Sequence, residues 1–342
     1  MRFSVFTAAT PEWTPEEAAK TIAAQGWDGI EWRVTDQADA AEPGYWAGNR
    51  ATWPLTGLEE SVPEILRITK EAGLDFSAVG GYAQASDHEN VERLLVATAA
   101  LGAGRVRVTL PKLPVGDYRA TFAQTRADLE WAAERAAAHG VKVLIELHHG
   151  SIVSSASAAY RLVEGLDPER VGVIHDIGNL IHEGMEDLGA AFQILGEYLA
   201  HVHVKNARWW PNAQMGPDNQ ILWEAYWAPL REGSADIDWL FRALVAVGYD
   251  GWVTLEDFVD HNIPRADRLE DSLAYLRGSY ERATMWARWM AAGAPQGAEY
   301  DAFVAAAIAE DEAAAAAKAS AAADSAADAA EAVQTEAPDT EA

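Results

Sequence analysis

Two periods alternate along the chain. Short, mostly apolar runs with β-branched residues recur between longer stretches of helical spacing, the pattern of buried parallel strands joined by helices. The first run covers residues 1–7. Thr14-Pro15-Glu16-Glu17 then starts a helix, with Thr as N-cap, Pro at the first helical position and Glu three residues after the cap. Gly26 stops that helix, and 27–33 is the second strand. A long loop over about 34–60 holds Tyr45, Trp46, Asn49, Arg50 and Trp53; loops of this length inside a domain are usually functional.

The same reading places strands at 75–80, 105–109, 141–150, 171–176, 199–205 and 251–255. Helices fall at 61–72 (Ser61 as N-cap), 90–101, 120–139, 157–165, 188–195, 237–247 and 265–291. A second long loop, 206–236, carries Trp209, Trp210, Trp223, Tyr226 and Trp227. Eight strands alternating with helices predict an α/β fold, a closed (β/α)₈ TIM barrel. A doubly wound sheet shares the alternation, but no Gly-rich phosphate loop follows the first strand. The pattern assigns 1–295 to a catalytic barrel domain and 296–342 to an Ala-rich, acidic tail. Beyond about 310 that tail is expected to be disordered or a fraying helix, because it has almost no apolar side chain larger than alanine.

Composition narrows the function. The chain has 342 residues, 49% of them hydrophobic, and no cysteine, so neither a disulfide framework nor a thiolate metal site exists. No run of 18 apolar residues predicts a membrane span, and the N-terminus lacks a signal-peptide core, so a cytoplasmic location is expected. Net charge is −27. Nine acids against Lys318 alone, over 310–342, put −8 in the tail and leave −19 on the body. That balance argues against nucleic acid as a partner, since phosphate binding needs a basic face. It does not exclude a metal cation or a neutral sugar. Fourteen Trp is a high count; most serve packing, and a subset would line a sugar or aromatic pocket.

Candidate chemistry lies at the predicted C-terminal strand ends, where barrels place their active sites. The fifth strand, VKVLIELHHG, ends on Glu146, His148 and His149; the sixth on Asp176; the seventh on His203; the eighth on Glu256 with Asp257 beside it. Three carboxylates gathered without a cation would repel one another and lose hydration, so Glu146, Asp176, His203 and Glu256 are expected to hold a divalent metal. Mostly oxygen donors suit Mn²⁺, Mg²⁺, Co²⁺ or Fe²⁺, with Mn²⁺ the first choice and Zn²⁺ less favoured. By strand alternation His148 shares the face of Glu146 and is the candidate general base, while His149 points away from the metal. His201 and His203 share one strand face, so one of them would bind the metal while the other packs one layer deeper, and His175 is structural. Lys205 and Arg208 bind a substrate oxygen or phenolate, or form surface salt bridges. Trp32 and Trp46 are candidate substrate contacts.

LIELHHG (144–150), GVIHDIGN (172–179), HVHVKN (201–206) and GYDGWVTLED (248–257) resemble the xylose-isomerase-like TIM-barrel superfamily of sugar isomerases, epimerases and inosose dehydratases. The resemblance covers about residues 1–290. In that superfamily the strand-seven ligand maps to His203, and epimerases use their two metal-bound glutamates, here Glu146 and Glu256, as the acid/base pair. Many members carry His three residues after the strand-six Asp, where this chain has Asn179.

FSVFTAATPEWTPEEAA (3–19), GWDGIEWR (26–33) and His148 more narrowly resemble the catalytic subunits of bacterial C-glycoside deglycosidases. That resemblance implies a metal-dependent carbon–carbon lyase, assisted by a small β subunit. It would cleave 3-oxo-C-glycosides by proton abstraction and elimination, with His148 as base. The alternatives are a keto-sugar isomerase or epimerase and an inosose-type dehydratase.

Overall fold

A computed structural model of the chain describes residues 1–259, 262–314 and 316. Up to Ala291, 11 strands and nine α-helices run in the order β1 Arg2–Phe6, α1 Pro15–Ala24, β2 Gly29–Val34, β3 Thr52–Trp53, α2 Leu58–Glu71, β4 Asp75–Gly81, α3 His88–Leu101, β5 Arg105–Arg107, α4 Tyr118–His139, β6 Lys142–Glu146, α5 Ala156–Val163, β7 Val171–Asp176, α6 Ile177–Glu183, α7 Leu188–Leu195, β8 Leu199–Val204, β9 Asn206–Met215, β10 Ile221–Ala228, α8 Ile237–Ala246, β11 Trp252–Leu255 and α9 Arg265–Ala291. Eight strands pair in parallel as β1-β11-β8-β7-β6-β5-β4-β2, and β1 pairs with β2 to close the ring. This is the expected (β/α)₈ barrel.

Local signals account for the helix ends. Thr14 caps α1 in a full capping box with Glu17, and Asp117, Ser155, Asp187 and Asp236 cap α4, α5, α7 and α8 through their side chains. Apolar faces of α2 (Leu58, Ile65, Ile68) and α8 (Ile237, Leu240, Phe241, Leu244) are buried. Removing such side chains from water is the main stabilising term, about 1.5–3 kcal/mol each.

The structure corrects three of the sequence expectations. The first long loop contains β3 and ends early, because α2 begins at Leu58 rather than at Ser61. Leu58 is buried and pulls an extra turn into the helix, with Gly57 at φ 74° in the cap position. The second long loop is an antiparallel hairpin of β9 and β10. Pro217-Asp218-Asn219 turns it, with Asp218 and Asn219 at positive φ. Its period-two sidedness is hidden in the sequence, because aromatic residues occupy both faces. The sixth strand runs directly into α6, which the sequence reading missed; Asp176 is its N-cap. Residues 310–314 are helical, one of the two states expected of the tail; the rest of that tail, apart from 316, lies outside the described residues.

The chain forms two compact units, Met1–Glu281 and a second beginning at Arg282. The first holds the barrel. Within the second, Arg288 pairs with Glu310 and Asp311. No described helix is long and apolar enough to cross a membrane.

Candidate functional site

Strand register assembles the rim. Asp176 on β7 lies beside His203 on β8, which lies beside Thr254 on β11. Glu256, just past β11, donates its N–H to Val204 O. Glu146 ends β6 opposite Ile174 of β7. One donor atom from each of Glu146, Asp176, His203 and Glu256 therefore falls within 4.8 Å of the others, and all four residues are buried.

The charges in this cluster suit a divalent cation. Four buried carboxylates, Glu31, Glu146, Asp176 and Glu256, contact one another's partners here. The cations paired with them are Arg107, whose Nη1 donates to Glu146 Oε2 at 2.6 Å, and Lys205, whose Nζ pairs with Asp176 and Glu256. Four negative groups against two positive ones leave a formal charge of −2. His203 Nδ1 is buried without a hydrogen-bond partner, 3.2 Å from Glu256 Oε1 and 3.6 Å from Glu146 Oε1. A lone pair aimed at two carboxylates is costly unless a proton or a metal lies between them. Proton affinities show the same crowding. Burial, with Glu256 and Glu146 nearby, pushes Asp176 up to about 8 against the pull of Lys205. His203 rises well above the ordinary imidazole range: burial opposes the change, but Glu31 and Glu256 outweigh it. The donor set thus fits a metal ion, which would take the place of those protons.

Hydrogen bonds hold both glutamates in place. Glu146 Oε1 accepts from Asn179 Nδ2 at 3.1 Å while Oε2 accepts from Arg107. Glu256 Oε2 pairs with Lys205. Asn179 also donates its backbone N–H to Asp176 Oδ1 and accepts from His149 Nδ1 at 2.8 Å. It therefore ties together the ends of β6 and β7. No motif pointed to Arg107 or Glu31 as site residues, and Asn179 was marked only as standing where many family members carry His; the signal for Glu31 and Arg107 was a charge flanked by apolar residues within a strand.

A cavity of about 520 Å³ opens on this cluster. Glu146, Glu256, Lys205, Arg107, His148 and His149 line its polar side, and Trp46, Tyr82, Trp227 and Phe258 its aromatic side. The volume suits a small sugar. β6 ends at Glu146, so strand alternation no longer governs the two histidines. His149 lines the cavity instead of pointing away. His148 Nδ1–H donates to the His149 carbonyl at 2.7 Å, which leaves the lone pair on Nε2. Burial lowers the pKa of His148 despite Glu146, so the ring is neutral near pH 7.

The other expected residues are dispersed. Trp32 is fully buried on β2 and donates its Nε1–H to Thr69 Oγ1 on α2. Its indole faces the helix layer and cannot reach the cavity, because successive side chains on a strand alternate and Glu31 takes the inner side. Arg208, half-exposed on β9, lies over Trp210 and 3.9 Å from Glu232, outside the cavity lining. Trp46 is at the mouth, 54% exposed. His175 is buried against Phe192 without a polar partner.

A family model described as a xylose isomerase-like TIM barrel matches residues 19–279. Over 152 residues the chain is 26% identical to an inosose dehydratase of Geobacillus thermodenitrificans, covering 42% of this chain and 51% of that protein. An inosose dehydratase of Lacticaseibacillus casei matches at 26% over 136 residues, 37% and 44% of the two chains. The chain thus spans about half the length of these curated relatives. Among solved structures, 3-keto-D-glucoside 4-epimerase of E. coli superposes with a TM-score of 0.61 at 21% identity, covering 81% of this chain and 99% of that one. A probable 3-DHS dehydratase of Bacillus anthracis superposes with a TM-score of 0.60 at 19% identity, covering 81% and 99%. These structural likenesses show the fold.

Proposed function

The chain belongs to the xylose isomerase-like TIM-barrel family, and from that premise we propose that it removes water from a keto sugar or keto cyclitol of the inosose type. A divalent cation held by Glu146, Asp176, His203 and Glu256, Mn²⁺ by preference, would supply Lewis-acid polarisation of the substrate carbonyl. The remaining steps belong to the protein's own groups.

The observation that carries the reading is the division of roles among the basic residues. Glu146 is fixed by Arg107 and Asn179, and Glu256 by Lys205. Burial opposes both carboxylates, but their cations hold them below the ordinary carboxylate range. Neither is suited to take a proton near pH 7. His148 Nε2 carries a free lone pair, and the ring lines the cavity. It takes the proton α to the carbonyl; that C–H pair becomes the C=C bond as the β C–O bond breaks. The leaving hydroxide takes the proton back from the His148 imidazolium and departs as water. Lys205 stays protonated, since its carboxylate neighbours outweigh burial, and stands as a fixed cation beside the developing oxyanion. Elimination needs one such base, whereas epimerisation needs a second group to return the proton to the opposite face.

The test is incubation of Mn²⁺-loaded protein with an inosose, following loss of water by mass spectrometry and α-deuterium uptake from D₂O. His148→Ala should slow both by about 10²–10⁴-fold. Elimination at an undiminished rate in that variant would refute the assignment. A wild-type protein that exchanges the α-proton but returns an epimer would make it an epimerase.

The aromatic wall favours a second reading. Trp46 and Phe258 (centroids 4.9 Å apart), with Tyr82 and Trp227, offer stacking faces beyond the polar end. An aryl group on the sugar would rest there, and the same proton abstraction from a 3-oxo-C-glycoside would expel it by carbon–carbon cleavage. On that reading a small β subunit takes part. Release of an aromatic aglycone from such a substrate distinguishes the two.

A further inference from the structure

We infer that Glu31, on a strand that supplies no metal ligand, is the positioning residue that presents His203 to the cation. The inference rests on the reading of the rim as a metal centre and concerns how that centre is held.

The geometry runs through the barrel interior. His203 Nε2 lies 3.2 Å from Glu31 Oε2. A carboxylate at neutral pH only accepts, so the Nε2 proton is donated to it and Nδ1 is the nitrogen left for the cation, or for a second proton in the cation's absence. Nδ1 is the buried atom facing Glu146 and Glu256. The carboxylate therefore selects the tautomer and fixes the ring plane, and its charge makes the imidazole a stronger donor. The ring is also stacked on Phe6, 6.0 Å away and tilted by 23°.

Glu31 is itself held. His201 Nε2 lies 3.1 Å from the same Oε2 and 2.8 Å from Thr254 Oγ1, and Thr254 bonds Ser4 Oγ at 2.7 Å. Glu31, His201, His203, Thr254 and Ser4 are all fully buried. Space for the carboxylate is kept by Gly80, where a Cβ would lie 2.3 Å from Phe6 and 3.1 Å from Glu31 Oε1. A carboxylate buried in the barrel interior only as packing would be a costly choice, since an apolar side chain of like volume would fit without desolvating a charge. Its service to His203 gives it a purpose.

The test is Mn²⁺ affinity of the full chain by titration calorimetry after chelator treatment, with folding checked by circular dichroism. Glu31→Ala should weaken Mn²⁺ by about 10–100-fold. Glu31→Gln, which can still accept the Nε2–H but carries no charge, should fall between that variant and wild type, and it decides the matter if the alanine variant does not fold. Trp32→Phe removes a buried hydrogen bond to Thr69 from the same strand, on the face turned to the helix layer, and should bind Mn²⁺ as wild type does. Folded Glu31 variants that bind Mn²⁺ as wild type does would overturn the inference. So would Trp32→Phe weakening the metal as much as Glu31→Ala, which would mark a general packing effect. A wild type that binds no Mn²⁺ would instead refute the metal centre itself.

Discussion

Arg107 Nη1 and Glu146 Oε2 meet at 2.6 Å in a buried ion pair beneath the cavity. The guanidinium lies against the Tyr82 ring at 4.4 Å and donates Nε–H to Gly81 O, so it is fixed independently of the glutamate. Arg107→Met should therefore leave the Glu146 carboxylate charged without its closest cation, with Asn179 and the more distant Lys205 as remaining partners, costing about 3 kcal/mol of stability. The double variant Arg107→Met/Glu146→Gln should recover a large part of that loss in denaturant unfolding. No recovery would mean that the arginine acts through packing alone.

Gly178 gives a sharper steric prediction. A Cβ there would stand 2.3 Å from Lys205 Cγ and 2.9 Å from Lys205 O. Helix propensity favours alanine over glycine by about 1 kcal/mol, yet Gly178→Ala should destabilise by about 1–3 kcal/mol through overpacking. It should also weaken Mn²⁺ binding, because Lys205 pairs with two of the proposed ligands. A stabilised variant in urea unfolding would contradict the close approach.

His182 stacks on His149 with centroids 4.3 Å apart, and meets the Trp227 ring at a tilt, 4.7 Å away. Burial, then the nearby His149 and Lys205, lower its pKa to about 4. The unfolded chain therefore binds more protons than the folded one between about pH 6.5 and 4, and stability falls as pH drops through that window. The ring is partly solvent-exposed, so the contribution is discounted to about 1–2 kcal/mol. His182→Phe keeps a ring in the stack and should flatten the slope of stability between pH 7 and 5; equal slopes would rule out this source.

Trp46 separates the two substrate readings. It is 54% exposed and lines the cavity, so Trp46→Ala should leave stability within about 0.5 kcal/mol. Loss of its stacking face should cost about 0.5–1.5 kcal/mol for an aryl-bearing substrate and little for a bare keto sugar. Matched KM values on the two substrates would show which half of the cavity is in use.

The barrel was legible because eight buried parallel strands write an apolar run each, and the helix stops at Gly26, Gly73 and Gly140 are local signals. The four rim residues were legible for a related reason: a polar residue closing such a run has one place to go. Glu31, Arg107 and Asn179 were not, since their importance lies in partners 33 to 172 residues away. Strand alternation misplaced His149 because β6 ends three residues earlier. It would have warned against Trp32, whose neighbour Glu31 already faces inward. The β9–β10 hairpin was hidden by aromatic residues on both of its faces.

One cation is proposed to balance the charge of the rim, and metal stoichiometry with its proton release tests this most directly. Chelator-treated wild type, titrated with Mn²⁺ at pH 7 in buffers of differing ionisation enthalpy, should bind one ion per chain and release protons, because His203 and Asp176 hold protons that the metal displaces. Asp176→Asn should lose that binding yet remain folded, since asparagine serves as N-cap of α6 about as well as aspartate. Wild type that binds no ion, or an Asp176→Asn variant that binds Mn²⁺ with unchanged affinity and proton release, would contradict the metal centre.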